Sequence, residues 1–480
     1  MDRRNFLKHT SATVGGIVTA ATIGTLTAHG AWAASSRREE CGTRGSGRAG
    51  TTYGPLKRTP DQNGVEVLAL PEGFQYVTFG KTGEMMSDGF VTPRNHDGMT
   101  CFPVSKDIVR LIRNHELRNA AGDFSLGVVG PEATRYDPKG MGGCVTLDFD
   151  IRHKALVRDF ISLNGTAINC SGGLSYNDSG WLSCEECTWG PAEGFEKPHG
   201  FTFFVSKDAA FPTKAQPITA MGRFVKEAAV ADNASGIVYQ TEDDKNNSGF
   251  YRFIPADPAN LMSGGVLQML AVSDTPNYDT RTRQVVGAEL QVEWVTIDDP
   301  NPETVSRTTS CFAQGFAKGG ARFNRLEGVF RGDAGSMYFA STSGGDARRG
   351  QLWRFIPNVA GGGTLMLEYE SPASSALDSP DNICVTRNGG ILICEDDTYA
   401  SRDGDTHVLA RGIRDVNRLI GLGREGEPFE FAVNIYNSSE FAGACFSPDG
   451  EILFVNIFGD GAINSGLTCA IWGPWCNGPF

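Results

Sequence analysis

The chain of 480 residues carries 43 Lys and Arg against 56 Asp and Glu, for a formal net charge of −13. Without the basic leader at residues 1–33 the balance is about −15, which argues against nucleic acid as the main partner. With 60 Gly and 23 Pro the chain is turn-rich, and the roughly 450 residues after the leader are within reach of one large closed β architecture.

Residues 1–33 read as an export signal. Arg3-Arg4-Asn5-Phe6-Leu7-Lys8 is a twin-arginine motif, a mild apolar run follows from Ala12 to Ala28, and Ala31-Trp32-Ala33 offers small residues for cleavage. The expected location is periplasmic or secreted, with the twin-arginine machinery as one partner and no membrane insertion of the mature chain. From residue 34 to 64 the chain is polar and rich in Gly and Arg, and is expected to be a linker or loose arm. Order is expected from Val65-Glu66-Val67-Leu68-Ala69-Leu70 onward. Beyond it, short apolar runs alternate with Gly, Asn, Asp and Pro without helical period, so residues 65–480 form one all-β domain.

Three of these runs end in acids: Trp181-Leu182-Ser183-Cys184-Glu185-Glu186-Cys187, Tyr239-Gln240-Thr241-Glu242-Asp243-Asp244 and Leu392-Ile393-Cys394-Glu395-Asp396-Asp397. Acids at the end of a burial-prone strand are costly unless a cation sits among them, and carboxylate with thiolate is a metal-binding combination. Separate segments are expected to deliver them to one place.

An internal repeat sets the architecture. Gly249-Phe250-Tyr251-Arg252-Phe253-Ile254-Pro255 is echoed by Gly350-Gln351-Leu352-Trp353-Arg354-Phe355-Ile356-Pro357. Polar strand ends recur at Glu116, Glu185, Glu242, Thr342, Glu395 and Asn456, at intervals typical of four-stranded blades, which predicts a six-bladed β-propeller. Asn169, Glu227, Glu327, Asp381 and Glu440 stand shortly before most of these ends, each opening an apolar run. The run Leu467–Trp472 is expected to close the ring by pairing with strands near the start of the ordered region.

Twelve cysteines in an exported chain would suggest disulfides, yet Cys144, Cys384, Cys394 and Cys445 lie in strand-like runs that suit buried thiols equally well. No second pair spaced like Cys184 and Cys187 follows, which argues against a four-cysteine zinc site. His115 is expected to hold a neighbouring loop and His199 to belong to a turn. No Walker loop, dinucleotide fingerprint or Gly-x-Ser-x-Gly elbow is present.

From Leu68-Ala69-Leu70-Pro71-Glu72-Gly73-Phe74 to the C-terminus the chain resembles the PhoX-type bacterial alkaline phosphatases. The matching motifs include Arg113-Asn114-His115-Glu116, Gly142-Gly143-Cys144, Asn169-Cys170-Ser171-Gly172-Gly173, Leu182-Ser183-Cys184-Glu185-Glu186, Arg325-Leu326-Glu327-Gly328, Pro380-Asp381-Asn382 and Phe446-Ser447-Pro448-Asp449-Gly450. The resemblance implies a propeller that holds ferric iron (Fe3+) and calcium (Ca2+) at one end of its channel and hydrolyses small-molecule phosphate monoesters, expected here as a monomer. By that likeness Cys184 would be the thiolate ligand to iron, Glu227 and Glu327 carboxylate ligands, and Glu242, Glu395 and Asp396 calcium-side acids. Glu185 and Asp243, beside these acids, complete the expected metal set. Arg325 would face the substrate phosphate, with Glu327 as its catalytic neighbour and Asn169 as a second substrate contact. The chain departs from the family at Lys226, where His precedes Glu-Ala, and at Cys187. Two other readings of the ring are a calcium-dependent propeller lactonase and a non-catalytic binding propeller.

Overall fold

The computed structural model describes residues 52–396, 404–423 and 426–480. The expected export signal, most of the expected linker and Asp397 lie outside the described residues. Within them the regular structure is mainly strand, with one α-helix of seven residues at Cys311–Ala317 and several single 3-10 turns. Among the described residues no helix is long and apolar enough to cross a membrane.

The strands in chain order begin with β1 (Leu56–Pro60), β2 (Glu66–Pro71), β3 (Gln75–Phe79), β4 (His96–Pro103), β5 (Ile108–His115), β6 (Gly142–Asp150) and β7 (Ala155–Thr166). Next come β8 (Asn169–Leu174), β9 (Gly180–Glu185), β10 (Thr202–Ser206), β11 (Lys226–Ala231), β12 (Val238–Glu242), β13 (Phe250–Pro255), β14 (Gly265–Val272) and β15 (Glu289–Thr296). The second half holds β16 (Leu326–Arg331), β17 (Met337–Ser341), β18 (Gln351–Pro357), β19 (Gly363–Glu370), β20 (Pro380–Val385), β21 (Ile391–Glu395) and β22 (Arg418–Leu422). The last are β23 (Pro428–Asn434), β24 (Phe441–Phe446), β25 (Ile452–Ile457) and β26 (Leu467–Trp472).

Hydrogen bonding orders these strands as β4-β5-β6-β7, β8-β9-β10, a nine-stranded sheet in which β11 to β15 join β16 to β19 through β15 and β19, β20 to β23 extended by β2 and β1, and β24-β25-β26-β3. The leading strands β4, β8, β11, β16, β20 and β24 pack against one another in that order, and β24 returns to β4. The repeated Phe-Ile-Pro strands are β13 and β18, each the third strand of its group. Apolar clusters fill the spaces between sheets, for example Leu70, Phe74, Phe431, Leu453 and Trp475.

Both chain ends tie into this arrangement. β26 pairs with β3 from Thr468↔Phe79 to Trp472↔Gln75, as the sequence predicts, and β2 pairs with β23 at Leu68↔Asn434 and Ala69↔Val433. The expected linker ends early, because β1 lies inside it and pairs with β2. Its run Leu-Lys-Arg-Thr-Pro shows no apolar face because an edge strand needs little more than backbone pairing. The connecting turn is fixed by Asp61, whose Oδ1 accepts from the N–H groups of Asn63 (2.8 Å) and Val65 (2.9 Å).

Each leading strand carries a β-bulge near its start, between His96 and Met99, Asn169 and Gly172, Lys226 and Ala229, Leu326 and Val329, Pro380 and Ile383, and Ala442 and Cys445. A bulge frees one or two residues from the ladder and re-aims their side chains. Glycine allows the strands to approach there: a Cβ on Gly98 would lie 2.5 Å from the Cα of Ser171, and one on Gly443, at φ +63°, would lie 2.5 Å from the carbonyl oxygen of Asp97.

Candidate metal centre

The bulged ends place Asp97, Cys170, Glu227, Glu327 and Asp381 one residue into β4, β8, β11, β16 and β20. The residue before each faces the last residue of the second strand in its sheet: His96↔His115, Asn169↔Glu185, Lys226↔Glu242, Leu326↔Ser341 and Pro380↔Glu395. Side chains alternate along a strand, so the residue after each second strand turns away from the one before it. Those following residues are Glu116, Glu186, Asp243, Thr342 and Asp396. Glu440 joins them from the segment entering β24.

Two triads stand out. Ligand-capable atoms of Asp97, Glu116 and Cys170 all lie within 4.8 Å of one another, and so do those of Glu227, Glu327 and Asp381; all six residues are buried. Burial, and then the like charge of neighbouring acids, pushes the carboxyls of Asp97, Glu227, Glu327, Asp381 and Glu440 well above the ordinary carboxylate range. Glu186 is raised in the same way, chiefly by burial, although Arg118 opposes the shift, and the neighbouring Glu116 and Asp243 add to the rise. Burial and then Asp97 push the Cys170 thiol up.

Two guanidinium groups face these acids. Arg325 binds Asp243 through Nε (3.0 Å) and Nη2 (2.9 Å), and its Nη2 lies 3.0 Å from Glu327. Its backbone sits at φ +49°, a conformation that costs energy for a side chain of this size and is held by the Thr342 N–H donating to the Arg325 carbonyl. Arg118 reaches Glu116 and Glu186 through Nη2, each at 2.6 Å.

Five expected site residues are placed elsewhere. Glu185 is saturated: it accepts from the backbone N–H of Ala167 (2.9 Å), Gly200 (2.7 Å) and Phe201 (3.0 Å), and pairs with Nδ1 of His199 at 2.6 Å. Glu395 is likewise taken by Asp378 N–H (2.8 Å) and by the guanidinium of Arg418 at 2.7 and 2.6 Å. Glu242 accepts from Gly249 N–H (3.1 Å) and Tyr251 O–H (2.5 Å), and burial raises its carboxyl to about 8. Asn169 accepts from Thr166 Oγ1 (2.5 Å) and donates to Ser183 Oγ (2.9 Å), which leaves its amide inside the sheet. Cys184 lies in an apolar cluster with Leu182, Met221 and Phe224, where burial holds its thiol up at about 11 and its polar neighbours are Leu182 O and Thr202 Oγ1. The cysteine among the acids is Cys170. Cys184 and Cys187 are both free thiols.

Of the expected set, Glu227, Asp243, Glu327, Asp396 and Arg325 do come together, joined by Asp97, Glu116, Cys170, Glu186, Asp381, Glu440 and Arg118. His115 holds a loop, its Nδ1 lying 2.8 Å from the Arg94 carbonyl oxygen. Lys226 faces away from the acids: its Nζ donates to Gln240 Oε1 (2.6 Å) and Met221 O (2.9 Å) and lies 3.5 Å from the centre of the Phe224 ring. Burial lowers it to about 7.

The donor set fits hard cations. Both carboxylate oxygens of Glu227, Oδ1 of Asp97 and Oδ1 of Asp396 are buried without a hydrogen-bond partner, a cost that coordination to a cation removes. Carboxylates suit calcium and ferric iron, and one thiolate biases a position towards a transition metal.

The family model described as alkaline phosphatase PhoX matches residues 51–157 and 148–461. Among solved structures the chain is similar to Pseudomonas fluorescens PhoX in complex with vanadate, a transition-state analogue, with a TM-score of 0.62 and 17% identity over 90% of this chain and 99% of that one. It is more loosely similar to a luciferin-regenerating enzyme (TM-score 0.40, 10% identity, 83% of this chain and 95% of that one). A further loose likeness is to the periplasmic gluconolactonase of Pseudomonas aeruginosa (TM-score 0.33, 10% identity, 72% and 86%). No curated protein matches. The family match spans most of the chain: it belongs to the PhoX family of alkaline phosphatases, which are phosphoric monoester hydrolases.

Proposed function

We propose that the chain is a twin-arginine-exported, monomeric, six-bladed propeller that hydrolyses small-molecule phosphate monoesters at its acid ring, with ferric iron and calcium as cofactors. The observation that carries the reading is the pair of buried triads, one with the Cys170 thiol, set beside a guanidinium. In this reading Asp97, Glu116 and Cys170 hold one cation and Glu227, Glu327 and Asp381 a second. Glu186, Asp243, Asp396 and Glu440 supply further oxygen ligands. The cations would contribute Lewis acidity towards the phosphoryl oxygens, where charge concentrates during transfer.

Arg325 binds the phosphate. Asp243 and Glu327 fix its Nε and Nη2, so the guanidinium plane is oriented before substrate arrives, which leaves the Nη1 donors for a charge-assisted contact with a phosphoryl oxygen. Burial alone would lower the Arg325 pKa, but Glu327 and Asp243 reverse this and raise it, so the group stays cationic at alkaline pH. Glu186 and Asp243 stand together beside Arg325, each held by an arginine, Glu186 by Arg118 and Asp243 by Arg325. A lactonase uses neither a thiol among its acids nor this arginine.

The test is metal analysis and monoester hydrolysis on one preparation purified from the export compartment. Iron and calcium bound with a phosphatase activity that chelation abolishes support the reading, and hydrolysis indifferent to chelation overturns it.

A further inference from the structure

Arg118 differs from Arg325 in how much of its guanidinium is used. Its contacts to Glu116 and Glu186 both go through Nη2, whereas Nε and Nη1 make no hydrogen bond among the described residues. Its side chain is 58% exposed, against 24% for Arg325. A guanidinium stays protonated in proteins, so the charge is permanent. The result is a cation anchored at one corner, with the Nε–Nη1 edge turned to solvent, an edge suited to forked contact with a carboxylate or phosphate.

Its position relative to Arg325 is set by a chain of contacts. Arg118 holds Glu186, Glu186 neighbours Asp243, and Asp243 is held by Arg325. The two arginines therefore flank one carboxyl pair, Arg325 the more buried and Arg118 the more exposed.

We propose that Arg118 is a specificity-determining residue that selects phosphate monoesters whose leaving group carries a second anion, a carboxylate or a further phosphate. This rests on the phosphatase reading above. A neutral leaving group gains nothing from the free edge of Arg118, whereas an anionic one gains a charge-assisted contact, typically worth about 10- to 100-fold in affinity.

The test compares phosphoglycerate with glycerol phosphate, which differ in a carboxylate against a hydroxymethyl group, on metal-loaded wild-type, Arg118→Ala and Arg118→Lys proteins of equal metal content. The wild type is expected to favour phosphoglycerate about tenfold or more in kcat/KM, mainly through KM. Arg118→Ala should bring that ratio close to one, and Arg118→Lys should restore part of it. Disturbance of Glu116 and Glu186 alone would slow both esters equally and leave the ratio standing. A wild type without preference, or a ratio unchanged in Arg118→Ala, overturns the proposal. Hydrolysis of neither ester defeats the phosphatase reading instead. In that event calorimetric binding of the two esters to the same three proteins decides on Arg118: a wild-type preference lost in Arg118→Ala sustains it, and equal binding ends it.

Discussion

His199→Gln tests whether Glu185 is a latch or a ligand. His199 is buried, with Nδ1 at 2.6 Å from Glu185 and Nε2 at 3.6 Å from Asp137. Burial alone would lower its pKa, but the two carboxylates outweigh that and raise it from 6.5 to about 9. A folded-state pKa above the unfolded one means that the protonated ring stabilises the fold. That contribution is complete below pH 6.5 and disappears as the pH rises through 9. The rise corresponds to about 3 kcal/mol at most. Urea unfolding of wild type and His199→Gln at pH 6, 7.5 and 9.5 should show a stability difference that is largest at pH 6 and smaller by roughly 3 kcal/mol at pH 9.5. Taking the difference between the two proteins cancels the other titrating groups. A difference constant across that range would mean that His199 is not held protonated by Glu185, and would reopen Glu185 as a metal ligand.

Cys170→Ser should lower the content of the softer metal, while Cys184→Ser should leave metal content unchanged, because only the first thiol lies among the acids; metal analysis of the two proteins separates them. Glu227→Gln should weaken metal binding yet raise the stability of the metal-stripped protein by about 1 kcal/mol or more, since it removes a buried carboxyl without partners; thermal unfolding after chelation checks it. Arg325→Ala should keep the metals and lose on the order of a hundredfold in monoester turnover. Full activity in that variant would remove Arg325 from the mechanism.

The fold was legible wherever the chain repeats itself. The acid-ending strands are the second strands of their sheets, and the Phe-Ile-Pro pair marks the third strands of two neighbouring groups, so the repeat carried the order of the strands. Closure by Leu467–Trp472 was legible because an apolar run so close to the C-terminus has to bury itself on something, and a free sheet edge near the start of the domain is the available partner. The strand Leu56–Pro60 was not, since its stability comes from ladder bonds to β2 and from polar contacts such as Arg58 to Glu66 at 2.7 Å, which leave no hydrophobic period to read.

The site was half legible, and the reason is parity. Residues directly opposite in a ladder share a face, so the pair Lys226↔Glu242 puts Glu227 on the side of Asp243, not of Glu242. Asn169↔Glu185 likewise assigns Cys170 to Glu186, and Pro380↔Glu395 assigns Asp381 to Asp396. Of the residues the sequence singles out on the leading strands, Glu227, Glu327 and Asp381 are in phase with the ring and Asn169 stands one residue early. At the ends of the second strands the expected residues Glu116, Asp243 and Asp396 are in phase with the ring, while Glu185, Glu242 and Glu395 stand one residue early. A one-residue shift along a strand moves a side chain to the opposite face, which is why each of these acids is found held by a backbone, a histidine or an arginine while its neighbour reaches the ring. No single strand carries the phase, because both members of each doublet are acidic. It is fixed by the cross-strand register and by the bulge that follows it, and both depend on residues far apart in the chain.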